Sequence, residues 1–368
     1  MQAEAVHAPS RPPVPHPGSR VAGGLVYTSD AQPGIQRLRR GRGFAYRRAN
    51  GKPLRDDAEL TRIRRLAIPP AYRDVWICPR PDGHLQATGI DARGRKQYRY
   101  HARWREERDA EKFGGLAQMA VLLPRIRRRA ARDLAPREHG RTTLLATVVK
   151  LLDTTLGRIG NDQYARENGS YGLTTLCNRH ARLQGDLLEL SFRGKSGVPH
   201  RLQVRDRDIA AVVRKCLALP GRQLLRYADE SGRVRAVASG EVNDYLCGIV
   251  GPDRHVSAKD FRTWHASVYA LRIVARAVAR GDTRFTLRQM LAEVAQALGN
   301  TPAVCRRSYV HPDVVALALM AAGDIGRAGG VLDAVARETL PRGAAGLRQD
   351  EQRLARLLQG WNNAVIAA

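Results

Sequence analysis

The hydrophobic pattern changes its period partway along the chain. Up to about residue 113 the apolar positions fall in short runs broken by turn signals. F-A-Y-R-R and K-P-L flank Asn50-Gly51, a two-residue hairpin signal. V-W-I-C-P and H-L-Q-A-T flank Asp82-Gly83. R-K-Q-Y-R-Y-H follows a turn at 92–94 and forms a third strand candidate. The two-residue period puts Tyr98 and Tyr100 on one face of that strand, and Gln97 and Arg99 on the other. With one or two short helices, residues 23–113 read as a small β-rich domain.

Charge then dominates residues 105–115 and ends in Gly114-Gly115, a candidate boundary. From about residue 116 the pattern is mainly helical. R-T-T-L-L-A-T-V-V-K-L-L-D-T-T-L carries one apolar stripe through Leu145, Val148, Val149, Leu152, Leu156 and Ile159. This helix ends near G-R-I-G, so Arg158 lies in or just past its last turn. L-L-E-L-S-F and H-R-L-Q-V flank R-G-K-S-G, a hairpin with Lys195 near its tip. Ser257 and Asp260 form a loose capping box before a long helix. Phe261, Val268, Leu271, Ala275 and Val278 are its expected buried stripe, with Lys259 and Arg262 near its N-terminal end. The expected fold is α+β: residues 23–113 β-rich, and residues 114–368 mainly helical with a small β-hairpin or sheet.

Composition narrows the partners. Lys and Arg total 62 against 35 Asp and Glu, a net charge of +27. Such an imbalance opposes self-assembly and favours a polyanion, with nucleic acid ahead of a membrane surface. No apolar run reaches the ~18 residues a membrane span needs. Residues 1–22 are Pro-rich, lack the apolar core of a secretory signal, and read as a disordered tail. Cys78, Cys177, Cys216, Cys247 and Cys305 are scattered, with no C-x-x-C pair. That pattern fits reduced thiols in the cytoplasm rather than a disulfide framework or a structural zinc site.

Several chemistries are excluded. Gly194-Lys195-Ser196 resembles the end of a phosphate-binding loop, but the glycine needed five positions earlier is Glu189. There is no H-E-x-x-H and no obvious carboxylate cluster for two metals. Basic residues and tyrosines remain. Phosphoryl transfer without metal needs an in-line nucleophile, fixed cations on the non-bridging oxygens, and an acid for the leaving oxygen. Tyr, Arg and Lys can supply all three. At N-T-P-A-V-C-R-R-S-Y (300–309), Gly299 stops one helix, Thr301 caps another, and Pro302 suits its first position. On one straight helix Asn300 and Tyr309 would lie ~13 Å apart along the axis, on opposite faces. They can share a phosphate only if the chain bends at this break.

Four ordered motifs carry a resemblance. R-I-G-N-D-Q-Y-A-R-E-N-G-S-Y-G-L-T-T-L (158–176), F-R-G-K-S-G (192–197), K-D-F-R-T-W (259–264) and N-T-P-A-V-C-R-R-S-Y (300–309) resemble the type IB DNA topoisomerases. The likeness is to the bacterial members, which are related to the small poxvirus enzyme. P-P-A-Y-R-D-V-W-I-C-P (69–79) and G-R-K-Q-Y-R-Y-H (94–101) extend it over roughly residues 30 to 320. The resemblance implies a tyrosine nucleophile at Tyr309, phosphate-binding arginines at Arg158 and Arg262, and a hairpin lysine at Lys195. Asn300 stands where viral and eukaryotic members have histidine; it can donate a hydrogen bond but cannot shuttle a proton. The same likeness makes Arg93, Gln97, Tyr98, Tyr100 and Tyr164 candidate DNA contacts, and puts Asn161 where a DNA-contacting lysine is expected; Lys259, near Arg262 on the same helix, is a candidate phosphate ligand. It further implies an N-terminal DNA-clamp domain, relaxation of supercoiled duplex through a 3′-phosphotyrosine, and no ATP, metal or other cofactor. The implied enzyme is a monomer clamping DNA in the cytoplasm, at the nucleoid.

Other readings stay open at this point. A tyrosine recombinase uses a similar Arg, Lys, Arg, Tyr set, but it usually has histidine where Lys259 stands, and a helical N-terminal domain. A non-enzymatic basic DNA-binding or ribosome-associated protein would need none of these groups. Taken singly, Arg158 could offset a helix dipole, Arg262 and Lys195 could be solvated charges, and Tyr98 and Tyr100 plain sheet aromatics. Arg306 and Arg307 could touch phosphate or solvent. R-I-R-R-R-A-A-R (125–132) reads as a basic helix face.

Overall fold

The computed structural model describes residues 15–92, 94–135 and 139–367. The chain forms two compact units, which divide between Lys112 and Phe113.

The N-terminal unit is built on an antiparallel sheet. After the short pair β1 (Arg20–Val21) and β2 (Leu25–Val26) come β3 (Ile35–Arg40), β4 (Gly43–Arg47), β5 (Arg73–Ile77), β6 (Leu85–Ile90) and β7 (Lys96–Tyr100). The last five pair in the order β4-β3-β5-β6-β7. Helix α1 (Asp57–Arg65) starts at Asp56, whose carboxylate accepts the Glu59 N–H at 2.8 Å. Its Ile63 joins Ile35, Leu54, Val75, Ile77 and Ala87 in a small separate core. The expected turn at Asp82-Gly83 joins β5 to β6, and between β6 and β7 the Gly94 N–H donates to the Asp91 carbonyl at 3.0 Å. Asn50-Gly51 also turns the chain, but only a single bridge, Arg47 to Pro53, follows it. Arg48 N–H to the Lys52 carbonyl and Leu54 N–H to the Tyr46 carbonyl, each at 2.9 Å, flank that bridge.

Helix α2 (Ala102–Leu134) carries the chain from the first unit into the second. The helical region therefore starts at Ala102 and not near residue 116. Gly114 and Gly115 lie inside α2. Each weakens a helix by about 1 kcal/mol, too little to stop one with good helix formers on both sides.

The C-terminal unit continues with α3 (Arg141–Thr155), α4 (Asp162–Asn168), β8 (Ala181–Gln184), β9 (Leu187–Arg193), β10 (Pro199–Arg205) and α5 (Arg207–Ala218). Next come β11 (Arg226–Ala228), β12 (Val234–Ala236), α6 (Ser239–Val250), α7 (Ala258–Ala279), α8 (Leu287–Leu298), α9 (Pro302–Ser308), α10 (Pro312–Gly323), α11 (Ile325–Arg337) and α12 (Gln349–Ala367). Strands β8, β9 and β10 make a three-stranded antiparallel sheet, and the β9–β10 hairpin carries Lys195 at its turn.

Helix α7 is the axis of this unit, packed by α3, α8, α10, α11 and α12. That surround changes its expected stripe. Val268, Ala275 and Val278 are only half-buried, while Arg262, Trp264, Ser267, Ala270 and Val274 are fully buried. The basic run 125–132 is corrected too. Arg127 turns inward from α2, pairing with Asp153 of α3 (Nε to Oδ2, 2.8 Å) and with Glu351 of α12 (Nη2 to Oε1, 2.6 Å). Burial raises both carboxyls, and hydrogen bonds more than offset it, from His265 and Arg127 at Asp153 and from Arg127 at Glu351; both lie below their usual range. Among the described residues no helix is long and apolar enough to cross a membrane.

Candidate active site

The first piece of the site is the loop after α3. Leu156 ends that helix in the left-handed region (φ 57°), and the loop that follows, 157–160, lies against residues 172–174. Leu173 N–H donates to the Arg158 carbonyl, and Thr174 N–H to the Ile159 carbonyl, each at 2.8 Å. The two strands of loop approach so closely that a Cβ on Gly172 would fall 2.5 Å from the Gly160 Cα. Only glycine fits there, which fixes the backbone on both sides of Arg158.

The second piece is the first turn of α7. The Asp260 carboxylate accepts from Ser257 N–H at 2.7 Å and from its hydroxyl at 2.8 Å, the expected cap. Arg262 is buried one turn in, and its guanidinium donates to the carbonyls of Leu156 and Leu298. One side chain thus ties together the ends of α3 and α8.

The third piece is the helix break. Gly299 closes α8 in the left-handed region (φ 59°), and the Thr301 hydroxyl accepts the Val304 N–H to start α9. Tyr309 ends α9, and His311-Pro312 opens α10. Ser267 of α7 steadies this end: its Oγ donates to the Tyr309 carbonyl at 3.1 Å and accepts the His311 N–H at 3.0 Å. The chain breaks between Leu298 and Pro302, the ends of α8 and α9. Asn300 Oδ1 accepts from Arg158 Nη2 at 2.7 Å, and the Arg262 guanidinium carbon lies 5.2 Å from the centre of the Tyr309 ring.

Arg158, Tyr164, Lys195, Lys259, Arg262 and Tyr309 line one cleft of about 330 Å³. Burial raises the Tyr309 phenol, but the charges of Arg262 and Arg158, with their hydrogen bonds, outweigh it and hold the phenol below its ordinary value. Burial and the neighbouring Arg158 push Arg262 down to about 10, so it stays charged at neutral pH. Three buried donors here have no partner in the protein: Arg158 Nη1, Arg262 Nε and Asn300 Nδ2. A cleft lined by donors and cations suits an anion with several acceptor oxygens.

Tyr164 is exposed on α4, where Asn161 is the cap residue and accepts the Tyr164 N–H at 3.0 Å. Lys195 and Lys259 are exposed, as are Arg306 and Arg307. In the N-terminal unit Tyr98 is exposed and stacks on Tyr100 at 6.1 Å between centroids. Gln97 donates to Asp91 at 3.0 Å. Arg93 lies outside the described residues.

Asp153, His265 and Glu351 bring ligand-type atoms within 4.8 Å of one another, the one such group among the described residues. The Arg127 guanidinium already occupies both carboxylates, so a cation would meet a fixed positive charge. This cluster does not fit a metal. The pattern reading missed Ser267, Asp153 and Arg127, because each looked like one more position of a helix; nothing short of the packing distinguishes them.

Two family models match the chain. Residues 43–91 match the bacterial DNA topoisomerase IB N-terminal domain. Residues 101–317, more than half of the chain, match the eukaryotic DNA topoisomerase I catalytic core. DNA topoisomerase 1B of Acanthamoeba polyphaga mimivirus is 28% identical over 287 residues, covering 75% of this chain and 85% of the viral one. DNA topoisomerase 1B of Vaccinia virus (strain Copenhagen) is 22% identical over 234 residues, 62% of this chain and 70% of that one. DNA topoisomerase 1 of Mycosarcoma maydis is 26% identical over 196 residues, 47% of this chain and 19% of that protein.

Proposed function

The chain belongs to the type IB DNA topoisomerase family, and from that premise we propose that it relaxes supercoiled duplex DNA through a covalent Tyr309 intermediate. The Tyr309 phenol gives up its proton to solvent, and its oxygen attacks a backbone phosphorus, forming the new P–O bond as the bond to the 5′ oxygen breaks. Lys195 gives a proton to the departing 5′ oxygen. Arg158, Arg262 and Asn300 donate to the non-bridging oxygens, where charge builds in the transition state. The cut strand rotates, and its 5′ hydroxyl then attacks the phosphotyrosine and releases Tyr309.

One observation carries this reading: the buried donors Arg158 Nη1, Arg262 Nε and Asn300 Nδ2 lack partners beside a phenol held below its ordinary pKa. Donors of that kind suit a phosphate oxygen, and the lowered pKa favours the nucleophilic phenolate. Each step exchanges one phosphodiester for another, so torsional energy in the DNA drives relaxation and neither ATP nor metal enters. The chain acts as a monomer, in the cytoplasm at the nucleoid. Its DNA contacts include Tyr164 and Lys259, together with Arg93, Gln97, Tyr98 and Tyr100 of the 23–113 region.

The test is relaxation of supercoiled plasmid by pure protein in EDTA without ATP. Relaxation is expected, and denaturant should trap protein on the 3′ end of the nick. Tyr309→Phe should abolish both and keep salt-sensitive DNA binding. Activity surviving in Tyr309→Phe would show the nucleophile misassigned; no relaxation by the wild type would sink the whole scheme.

A further inference from the structure

Lys195 sits on an exposed turn at the end of a long flexible stem, yet a proton donor must meet one oxygen. Inside the turn the backbone is well defined. Gly194 N–H donates to the Val198 carbonyl at 2.8 Å, Gly197 N–H to the Gly194 carbonyl at 3.0 Å, and Ser196 and Gly197 both take left-handed φ. These bonds shape the turn without fixing its distance from Arg158 and Asn300, which come from other parts of the chain.

His200 bridges that distance. It lies on β10 opposite Phe192 of β9, and the two rings stack at 5.4 Å with 18° between their planes. A Cβ on Gly194 would fall 2.5 Å from the His200 Cδ2 and 2.7 Å from its Nε2. A Cβ on Gly299 would fall 2.5 Å from the Cε1 of the same ring and 3.0 Å from its Nε2. The imidazole therefore fills the space between the residue before Lys195 and the residue before Asn300. Val198 closes in as well, its Cγ1 3.3 Å from that Cβ position on Gly299. Burial, with the charges of Arg158 and Arg262, lowers the His200 pKa to about 4. The ring is thus neutral at working pH. It is not among the residues lining the cleft.

We propose that His200 is a positioning residue that acts through Lys195: its ring is the spacer setting the reach of the Lys195 turn from the Asn300–Arg158 pair, and so the delivery of the proton to the leaving 5′ oxygen. The proposal rests on the reading of Lys195 as the proton donor.

Leaving-group chemistry separates this role from simple support of the fold. An alkoxide needs a proton as it departs, whereas a thiol ionises near pH 8.5, so a thiolate departs without one. A rate defect that arises from a misplaced acid should therefore vanish when sulfur replaces the bridging 5′ oxygen at the scissile phosphate. The experiment is single-turnover cleavage by the full chain on two duplexes, one with bridging oxygen and one with bridging sulfur. His200→Ala should slow cleavage of the oxygen duplex by roughly 10- to 100-fold, and cleave the sulfur duplex at close to the wild-type rate. Lys195→Ala should behave in the same way. Asn300→Ala should stay slow on both, because its donor serves the non-bridging oxygens. His200→Phe keeps a flat ring in the wedge and should retain most activity on oxygen. His200→Leu, which keeps apolar bulk against Phe192 but not the ring shape, carries the same comparison if the alanine variant fails to fold. His200→Ala or His200→Leu equally slow on both duplexes, or as fast as wild type on both, would overturn the proposal. If Lys195→Ala is slow on both, the proton-donor reading itself fails, a different result from a failure of His200 alone.

Discussion

A free tyrosine phenol ionises near pH 10, so at neutral pH nearly all of it is protonated and a poor nucleophile. The neighbours of Tyr309 hold its phenol pKa below that value. Burial works against ionisation, and Arg262 and Arg158 overcome it. The pH dependence follows. With a lowered phenol pKa, the cleavage rate should rise with pH and level off below the point expected for an ordinary tyrosine. Arg158→Ala removes one of the charges that lower it, so its rise should move to higher pH. Its plateau should drop on the order of 10²–10³-fold, since a donor to the developing charge is also lost. Single-turnover cleavage measured from neutral to alkaline pH checks both; identical midpoints for the two proteins would mean that Arg158 does not tune the nucleophile.

Among elements, the instructive contact is the one between the chain's last helix and the helices that bear the site. Arg127, Asp153 and Glu351 join α2, α3 and α12, and the His265 Nε2 to Asp153 Oδ1 distance of 3.0 Å brings in α7, three residues beyond Arg262. Removing one partner of such a buried set leaves an uncompensated charge, typically a loss of about 3–5 kcal/mol. Glu351→Ala should therefore lower unfolding free energy by about that amount, read by denaturant titration. The acid limb has a definite sign. Asp153 and Glu351 are both held below their unfolded values. Their stabilisation is complete above the unfolded carboxyl pKa of about 4 and is lost as pH falls towards the folded values. Wild-type stability should fall more steeply below about pH 4 than that of Glu351→Ala, which has one such carboxylate fewer. Parallel slopes would contradict the assignment.

For the whole molecule, charge governs the encounter with DNA. A net charge of +27 gives a long-range attraction that salt screens. Binding of Tyr309→Phe to duplex should weaken linearly on a log–log plot against salt. If the interface neutralises six or more phosphates, affinity should fall by about 10³-fold or more between about 50 and 200 mM. Lys259→Ala should reduce the slope by about one contact and weaken unrelated duplexes equally. Affinity unchanged across that salt range would argue against a phosphate-dominated interface.

Much of this was legible along the chain because it depends on local chemistry. The change of period from two to 3.6 marked a β-rich stretch followed by helices. The β9–β10 hairpin, the Ser257–Asp260 cap, the stop at Gly299 and the restart at Thr301 follow from residue types that favour those geometries whatever surrounds them. The ordered motifs at Arg158, Lys195, Arg262 and Tyr309 named the candidates before any of them had a position. Side-chain surroundings were not legible, because they are set by segments far apart in sequence. Packing on every side of α7 widened its buried face beyond one stripe. Two distant carboxylates drew Arg127 out of a run that reads as a solvated basic face. The 142 residues between Arg158 and Asn300 separate a pair that only the fold brings to hydrogen-bond distance. Sequence alone determined which side chains are available for the proposed phosphoryl transfer. Tertiary structure decided which donors were left without partners beside the phenol, since burial and mutual distance belong to the packed chain and to no stretch of it.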